Sequence, residues 1–265
     1  MGSTMNELKI IEVNGKRLSA HIVGEGAPII LFHSLLADGS SFDPIVQELS
    51  KTHQTIILNL PGFGESEYIG GNLNGIADHI ARGIELLHLT QKPIFLGNGY
   101  GGFIALITGI RHPELPARLI LADCGAAFSE PGRAAFKMMS ATSKEKGLSA
   151  IADVAMRRLF APEFQEKNPE LIAERKKCFL AVDPETFHGA CEALSTLDIR
   201  SELSKVSVPV LVLVGEHDEA TPPPMSYELN AGLPHSELVV LTGCAHVPQL
   251  QSPSQFLAAI QDFIR

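Results

Sequence analysis

The chain has 265 residues, 45% of them hydrophobic and 19% charged, and carries a formal net charge of −9. That length is generous for one domain and short for two, and it suffices for a sizeable core. The acidic balance argues against nucleic acid or an anionic membrane as partner, and no apolar run approaches the roughly 20 residues that span a bilayer.

No basic stretch followed by an apolar one opens the chain, so no secretion signal is expected, and Met1–Thr4 ahead of Met5 reads as a cloning remnant outside the fold. Leu8–Val13 and Arg17–Val23 are strand-like and meet at Asn14-Gly15, a strong hairpin signal. Pro28–Phe32 is a continuous apolar run, the pattern of a strand buried on both faces, and it ends in His33-Ser34-Leu35-Leu36. Phe42–Leu49 has helical spacing. Gln54–Leu60 is a second buried strand, closed by Pro61-Gly62-Phe63-Gly64-Glu65-Ser66. Ile76–Leu89 is an amphipathic helix with Ile76, Ile80, Ile84 and Leu87 on one face.

Pro93–Gly102 then reads as a short strand turning sharply into a helix that begins near Tyr100. Glycines at both ends of the turn let strand and helix approach closely. This is the frame of a nucleophile elbow, G-x-S-x-G, which raises a serine at the top of a sheet. The serine's place is held by Gly99. A helix over Phe103–Arg111 and a strand over Leu119–Asp123 follow. From Glu130 to Leu203 only helical patterns occur: Arg133–Ser143, Ser149–Leu159, Pro169–Ala181 and Pro184–Leu194. Such an insertion between sheet strands reads as a helical lid. Pro209–Val214 resumes the buried-strand pattern, Leu238–Leu241 is the last strand and Gln255–Ile264 the last helix. The expected fold class is therefore α/β, a mostly parallel sheet with helices on both faces.

Two strands end in groups with chemistry to offer. Val210–Val214 runs into Gly215-Glu216-His217-Asp218, and Leu238–Leu241 into Gly243-Cys244-Ala245-His246. Ligands of open α/β sheets bind beyond the carboxyl ends of the strands. The elbow, Asp218, His246 and the His33-Ser34-Leu35 turn should converge at one edge.

In this order the motifs resemble those of the α/β-hydrolase fold family, and the resemblance covers nearly the whole chain: His33-Ser34, Asn59–Ser66, the elbow, Gly215–Asp218 and Gly243–His246. The stretch from Asp183 to Leu203 is similar to the lid of the enol-lactonase and meta-cleavage-product hydrolase branch, and Asn98 to the residue before the elbow position in the second of these groups. The resemblance implies an eight-stranded core over residues 5–125 and 205–265, with a lid over 126–204. It implies hydrolysis of a small ester, lactone or vinylogous diketone without metal or organic cofactor. His246 becomes the general base, Asp218 its orienting acid, and the N–H groups of Tyr100 and Leu35 the oxyanion hole. His33, Ser34 and Asn98 become substrate-side residues.

Gly99 departs from the family, since no acyl-enzyme forms on a glycine. Three readings stand: a serine replaced to silence the enzyme, a native site where Asp218–His246 acts through water seated above Gly99, or a pocket that only binds. Lyase or isomerase chemistry belongs to the second.

Other residues have blander expectations. Cys124, Cys178, Cys191 and Cys244 form no C-x-x-C pair, which argues for buried thiols in a reduced, cytoplasmic setting. Asp123 is an alternative acid made redundant by Asp218, and His217 is solvated. The remaining histidines lack metal-ligand spacing. Phe128, Phe136, Met138, Met139 and Phe160 read as lid core or as pocket lining. Arg157-Arg158 and Lys176-Lys177 read as solvated faces, one of which could meet a substrate carboxylate. A small molecule is the expected partner, and pairing of lid surfaces leaves a homo-oligomer open.

Overall fold

Strands with apolar residues on both faces need cover on both, and the central strands have it. The computed structural model describes residues 7–265, so the expected remnant at Met1–Thr4 lies outside the described residues. Eight strands form one sheet: β1 (Glu7–Val13), β2 (Lys16–Val23), β3 (Ala27–Phe32), β4 (His53–Asn59), β5 (Ile94–Asn98), β6 (Arg118–Ala122), β7 (Val210–Gly215) and β8 (Ser236–Leu241). Their order is β1-β2-β4-β3-β5-β6-β7-β8. β2 pairs antiparallel with β1 and β4, and every other neighbouring pair is parallel. The hairpin turn falls at Asn14 and Gly15, with φ of 52° and 77°, the double positive φ of a two-residue type I′ loop.

The helices are α1 (Asp43–Leu49), α2 (Leu73–Leu86), α3 (Tyr100–Arg111), α4 (Glu130–Lys146), α5 (Ala152–Leu159), α6 (Pro162–Lys167), α7 (Pro169–Leu180), α8 (Pro184–Thr196), α9 (Pro223–Gly232), α10 (Pro248–Gln251) and α11 (Pro253–Ile260). Alternate residues of the strands feed two cores. Ile30, Phe32, Phe95, Leu119 and Val212 pack with α2 and α3, while Ile29, Leu31, Leu96, Ile120 and Leu213 pack with α1 and α11. Among the described residues no helix is long and apolar enough to cross a membrane.

The helix boundaries differ from the periodicity where caps take over. α2 begins at Leu73 rather than Ile76 because the Asn72 side chain accepts the N–H groups of Asn74 and Gly75, and it ends at Leu86 rather than Leu89. α6, α9 and α10 escape periodicity because each is short and opens on a proline.

Helices α4 to α8 occupy the connection from β6 to β7. Ser129 and Asp183 cap α4 and α8 through their side chains. The two ends of this insertion meet: Ala127 bridges Asp198, and the Ile199 N–H donates to the Ala126 carbonyl at 2.9 Å.

α3 sits hard against the end of β3. A Cβ on Gly101 would lie far inside contact distance of the Phe32 carbonyl and 2.6 Å from that of His33. Backbone cannot yield as a flexible side chain does, so Gly101→Ala should cost about 3 kcal/mol and lower Tm by ~10 °C. Thermal unfolding followed by circular dichroism measures this, and an unchanged Tm would contradict the close approach.

Candidate active site

Register alone brings five strand ends to one edge. Phe32 pairs with Gly97, Asn98 with Ala122, Ala122 with Leu213 and Gly215 with Leu241. The residues just beyond them, Ser34, Gly99, Asp123, Asp218 and His246, lie in the loops at that edge.

His246 and Asp218 form a buried pair, with Nδ1 2.9 Å from Asp218 Oδ2. A carboxylate oxygen only accepts, so Nδ1 carries the proton and the lone pair of Nε2 faces the cavity. Burial alone would raise the Asp218 carboxyl. The His246 charge, with hydrogen bonds from His246 and Thr221, outweighs it and holds Asp218 below the usual carboxylate range. The Ala220 and Thr221 N–H groups donate to Oδ1 at 2.7 and 3.0 Å, and the Thr221 hydroxyl to Oδ2 at 2.6 Å. Thr221 has no place in the motif reading, and only its position three residues after Asp218 hinted at it.

The backbone of His246 is held from both sides. Its N–H donates to the Leu159 carbonyl at the end of α5 at 3.2 Å, and its carbonyl accepts from Asn98 Nδ2 at 2.9 Å. Gln249 Nε2 in turn donates to Asn98 Oδ1 at 3.1 Å. Asn98, expected on the substrate side, is fully buried behind the elbow. It faces away because side chains alternate along β5. His33 is likewise buried: Nδ1 lies 3.0 Å from the Ser34 carbonyl and Nε2 accepts the Leu60 N–H at 3.2 Å. Burial depresses the His33 pKa, in keeping with a neutral ring that donates from one nitrogen and accepts at the other. Neither Asn98 nor His33 lines the cavity, and both brace the loops that do.

Gly99 has φ of 55° and ψ of −120°, a conformation costly for other residues. A Cβ there would lie 2.7 Å from His246 Nε2 and 2.7 Å from Ser34 Oγ. These two atoms are 3.4 Å apart and crowd the place that a side chain at position 99 would take. The N–H of Tyr100, the first residue of α3, and that of Leu35 meet no acceptor among the described residues. Both residues line the cavity with Ser34, Gly99 and His246.

The cavity is narrow, about 30 Å³, and residues of the insertion form part of its wall. Phe128, Phe136 and Met139 line it, whereas Met138 is exposed and Phe160 is buried against Phe164. Of the basic pairs, Arg157 is exposed but Arg158 is half-buried and faces the cavity. Its Nη2 reaches the Ala220 carbonyl at 3.4 Å, and no ion pair is formed by it among the described residues. Burial disfavours its charge, yet a guanidinium stays protonated at neutral pH. A wider cleft of about 510 Å³ beside Tyr68, Asn72 and Glu192 holds none of these groups.

Asp123 lies beside Asp218, and the two carboxylates and His246 present ligand atoms within 4.8 Å of one another. A cation there would have to displace the His246–Asp218 bond and the Gly215 N–H, which donates to Asp123 Oδ1 at 2.8 Å. Burial pushes the Asp123 carboxyl well above its ordinary range, and the Asp218 charge adds to this.

Known proteins share this fold. The family described as alpha/beta hydrolase fold matches residues 27–253, and the chain belongs to it. Among curated relatives, 3-oxoadipate enol-lactonase 2 of Acinetobacter baylyi is 31% identical over 180 residues, 67% of this chain and 66% of that one. A pimeloyl-[acyl-carrier protein] methyl ester esterase of Neisseria meningitidis is 28% identical, covering 89% of this chain and 92% of its own. Among solved structures, the enol-lactonase of Burkholderia xenovorans LB400 superposes with a TM-score of 0.90 at 27% identity, over 97% of this chain and 99% of that one. The likeness to the enol-lactonase branch thus extends over the fold, and these relatives are hydrolases of a lactone or an ester by name.

The raised Asp123 carboxyl sets a pH dependence. The folded chain keeps this proton to higher pH than the unfolded chain, whose carboxyl titrates near about 4. Its contribution to stability is therefore full below that pH and is lost as pH rises toward the folded value. Asp123→Asn keeps an acceptor for the Gly215 N–H and escapes the loss. Its Tm should exceed that of the parent at pH 7 to 8, with the gap narrowing toward pH 4. A gap independent of pH would contradict the assignment.

Proposed function

We propose that the chain hydrolyses a small ester or lactone bearing a carboxylate, with His246 as general base, Asp218 as its orienting acid and the Tyr100 and Leu35 N–H groups as the oxyanion hole. The observation that carries this reading is the buried His246–Asp218 pair, 2.9 Å apart, beside a cavity lined by two residues whose N–H groups meet no acceptor among the described residues. A pocket that merely binds has no use for an oriented base, and the esterase and lactonase names of the relatives favour the same chemistry.

Arg158 supports the carboxylate. It is the single guanidinium in an otherwise apolar wall of Phe103, Phe128, Phe136 and Leu194, and a charge so placed is best satisfied by an anion. We take the insertion over residues 126–204 to act as a lid. A cavity of about 30 Å³ has room for roughly one water, so admitting substrate requires α4, α5 or α8 to shift.

Two variants test the reading. His246→Ala should reduce kcat on p-nitrophenyl esters by about 10³-fold or more. Arg158→Met should raise KM for mono-p-nitrophenyl succinate by about 10-fold or more, the value of one charge-assisted hydrogen bond, and leave p-nitrophenyl butyrate within about two-fold. Equal effects on both esters would remove the carboxylate from the proposal, and an active His246→Ala enzyme would remove the base.

A further inference from the structure

The proposed hydrolysis leaves a step unassigned: which atom attacks the carbonyl carbon. We infer that Ser34 Oγ is the nucleophile, taking the role that the elbow in this chain cannot perform. The inference rests on the proposed hydrolysis.

Four observations converge on this hydroxyl. Its oxygen lies 3.4 Å from His246 Nε2, at the outer edge of hydrogen-bond reach. Nucleophile–base pairs tighten to 2.6–3.2 Å once substrate is bound. It occupies the right place, because a Cβ on Gly99 would lie 2.7 Å from it and 2.7 Å from Nε2. The hydroxyl and the base thus face each other across the ground a side chain at 99 would hold. It lines the cavity together with Leu35, Tyr100 and Arg158. Finally, Leu35 directly follows Ser34, so the nucleophile is followed at once by an oxyanion donor, the same offset by which Tyr100 follows Gly99.

The loop that carries Ser34 is held rigidly, as a nucleophile requires. The His33 ring ties the Ser34 carbonyl to the Leu60 N–H across the end of β4, and the Ala37 N–H donates to the same carbonyl at 3.2 Å. His33 is here a positioning residue.

The step balances without any further reactant. Ser34 Oγ gives its proton to Nε2 and bonds to the carbonyl carbon. The tetrahedral oxyanion is held by the Leu35 and Tyr100 N–H groups. It collapses with loss of the alkoxide, which takes the proton from His246, leaving an ester on Ser34. A water gives its proton to His246 and attacks that ester. The bond to Oγ breaks, and the proton returns to Ser34.

The test treats the full chain with a fluorophosphonate, which replaces fluoride on phosphorus by the attacking oxygen, and locates the adduct by tandem mass spectrometry. The expected result is one adduct, on Ser34. It is absent from Ser34→Ala and slowed at least about 10³-fold in His246→Ala, and kcat of Ser34→Ala on p-nitrophenyl butyrate falls by a similar factor. Ser34→Cys keeps the nucleophile and guards against a folding defect: it should retain measurable turnover that iodoacetamide abolishes, with the alkylated peptide containing position 34. Turnover that depends on His246 while Ser34→Ala stays within ten-fold of the parent, with no adduct on Ser34, would overturn the inference and leave the proposed hydrolysis standing with water as direct attacker. If His246→Ala also leaves turnover unchanged, or the chain shows neither turnover nor adduct, both readings fall.

Discussion

The closeness of α3 to the end of β3 governs the site. With no side chain at Gly101, the start of the helix lies against the Phe32 and His33 carbonyls. That approach sets where Gly99 turns, where the Tyr100 N–H points, and how near the Ser34 loop comes to the elbow. The remaining groups need only parallel register. Asp123, Asp218 and His246 follow β6, β7 and β8, whose ends are already level. A single steric allowance thus sets the Ser34 loop against the elbow, and strand register aligns the rest.

Behind the cavity stands a layer of buried polar groups, and its members offset one another's cost. An unpaired buried charge is expensive, and Asp218 meets donors at both oxygens: the Ala220 and Thr221 N–H groups at one, Thr221 and His246 at the other. Burial and the neighbouring Asp218 charge favour the neutral form of Asp123 beside it. Asn98 and Gln249 complete the layer as neutral amides holding the His246 backbone. The Arg158 guanidinium faces the same cavity and reaches the Ala220 carbonyl of the Asp218 loop.

The legible part of the sequence is the part that obeys short-range rules. Buried apolar runs located the strands, Asn14-Gly15 located the hairpin, and the groups after β7 and β8 were found because loops at that sheet edge face one way. What stayed hidden depends on phase and on partners far along the chain. Adjacent Arg157 and Arg158 look alike, but α5 turns one to solvent and the other to the cavity. His33 and Asn98 sit in functional motifs yet point away, since their partners, Leu60 and His246, are set by tertiary packing. Ser34 reads in the sequence as a substrate-side residue unrelated to the missing nucleophile, and only the 2.7 Å proximity to the Gly99 Cβ position relates the two.

The bond from the His246 N–H to the Leu159 carbonyl joins the base to the insertion itself. α5 carries Arg158 one residue earlier, so the same short helix holds the cavity-facing guanidinium and one anchor of the His246 backbone. A displacement of α5 wide enough to admit a molecule loosens that anchor as well. The insertion and the His246 loop are thereby mechanically linked, so that movement of one is felt at the other.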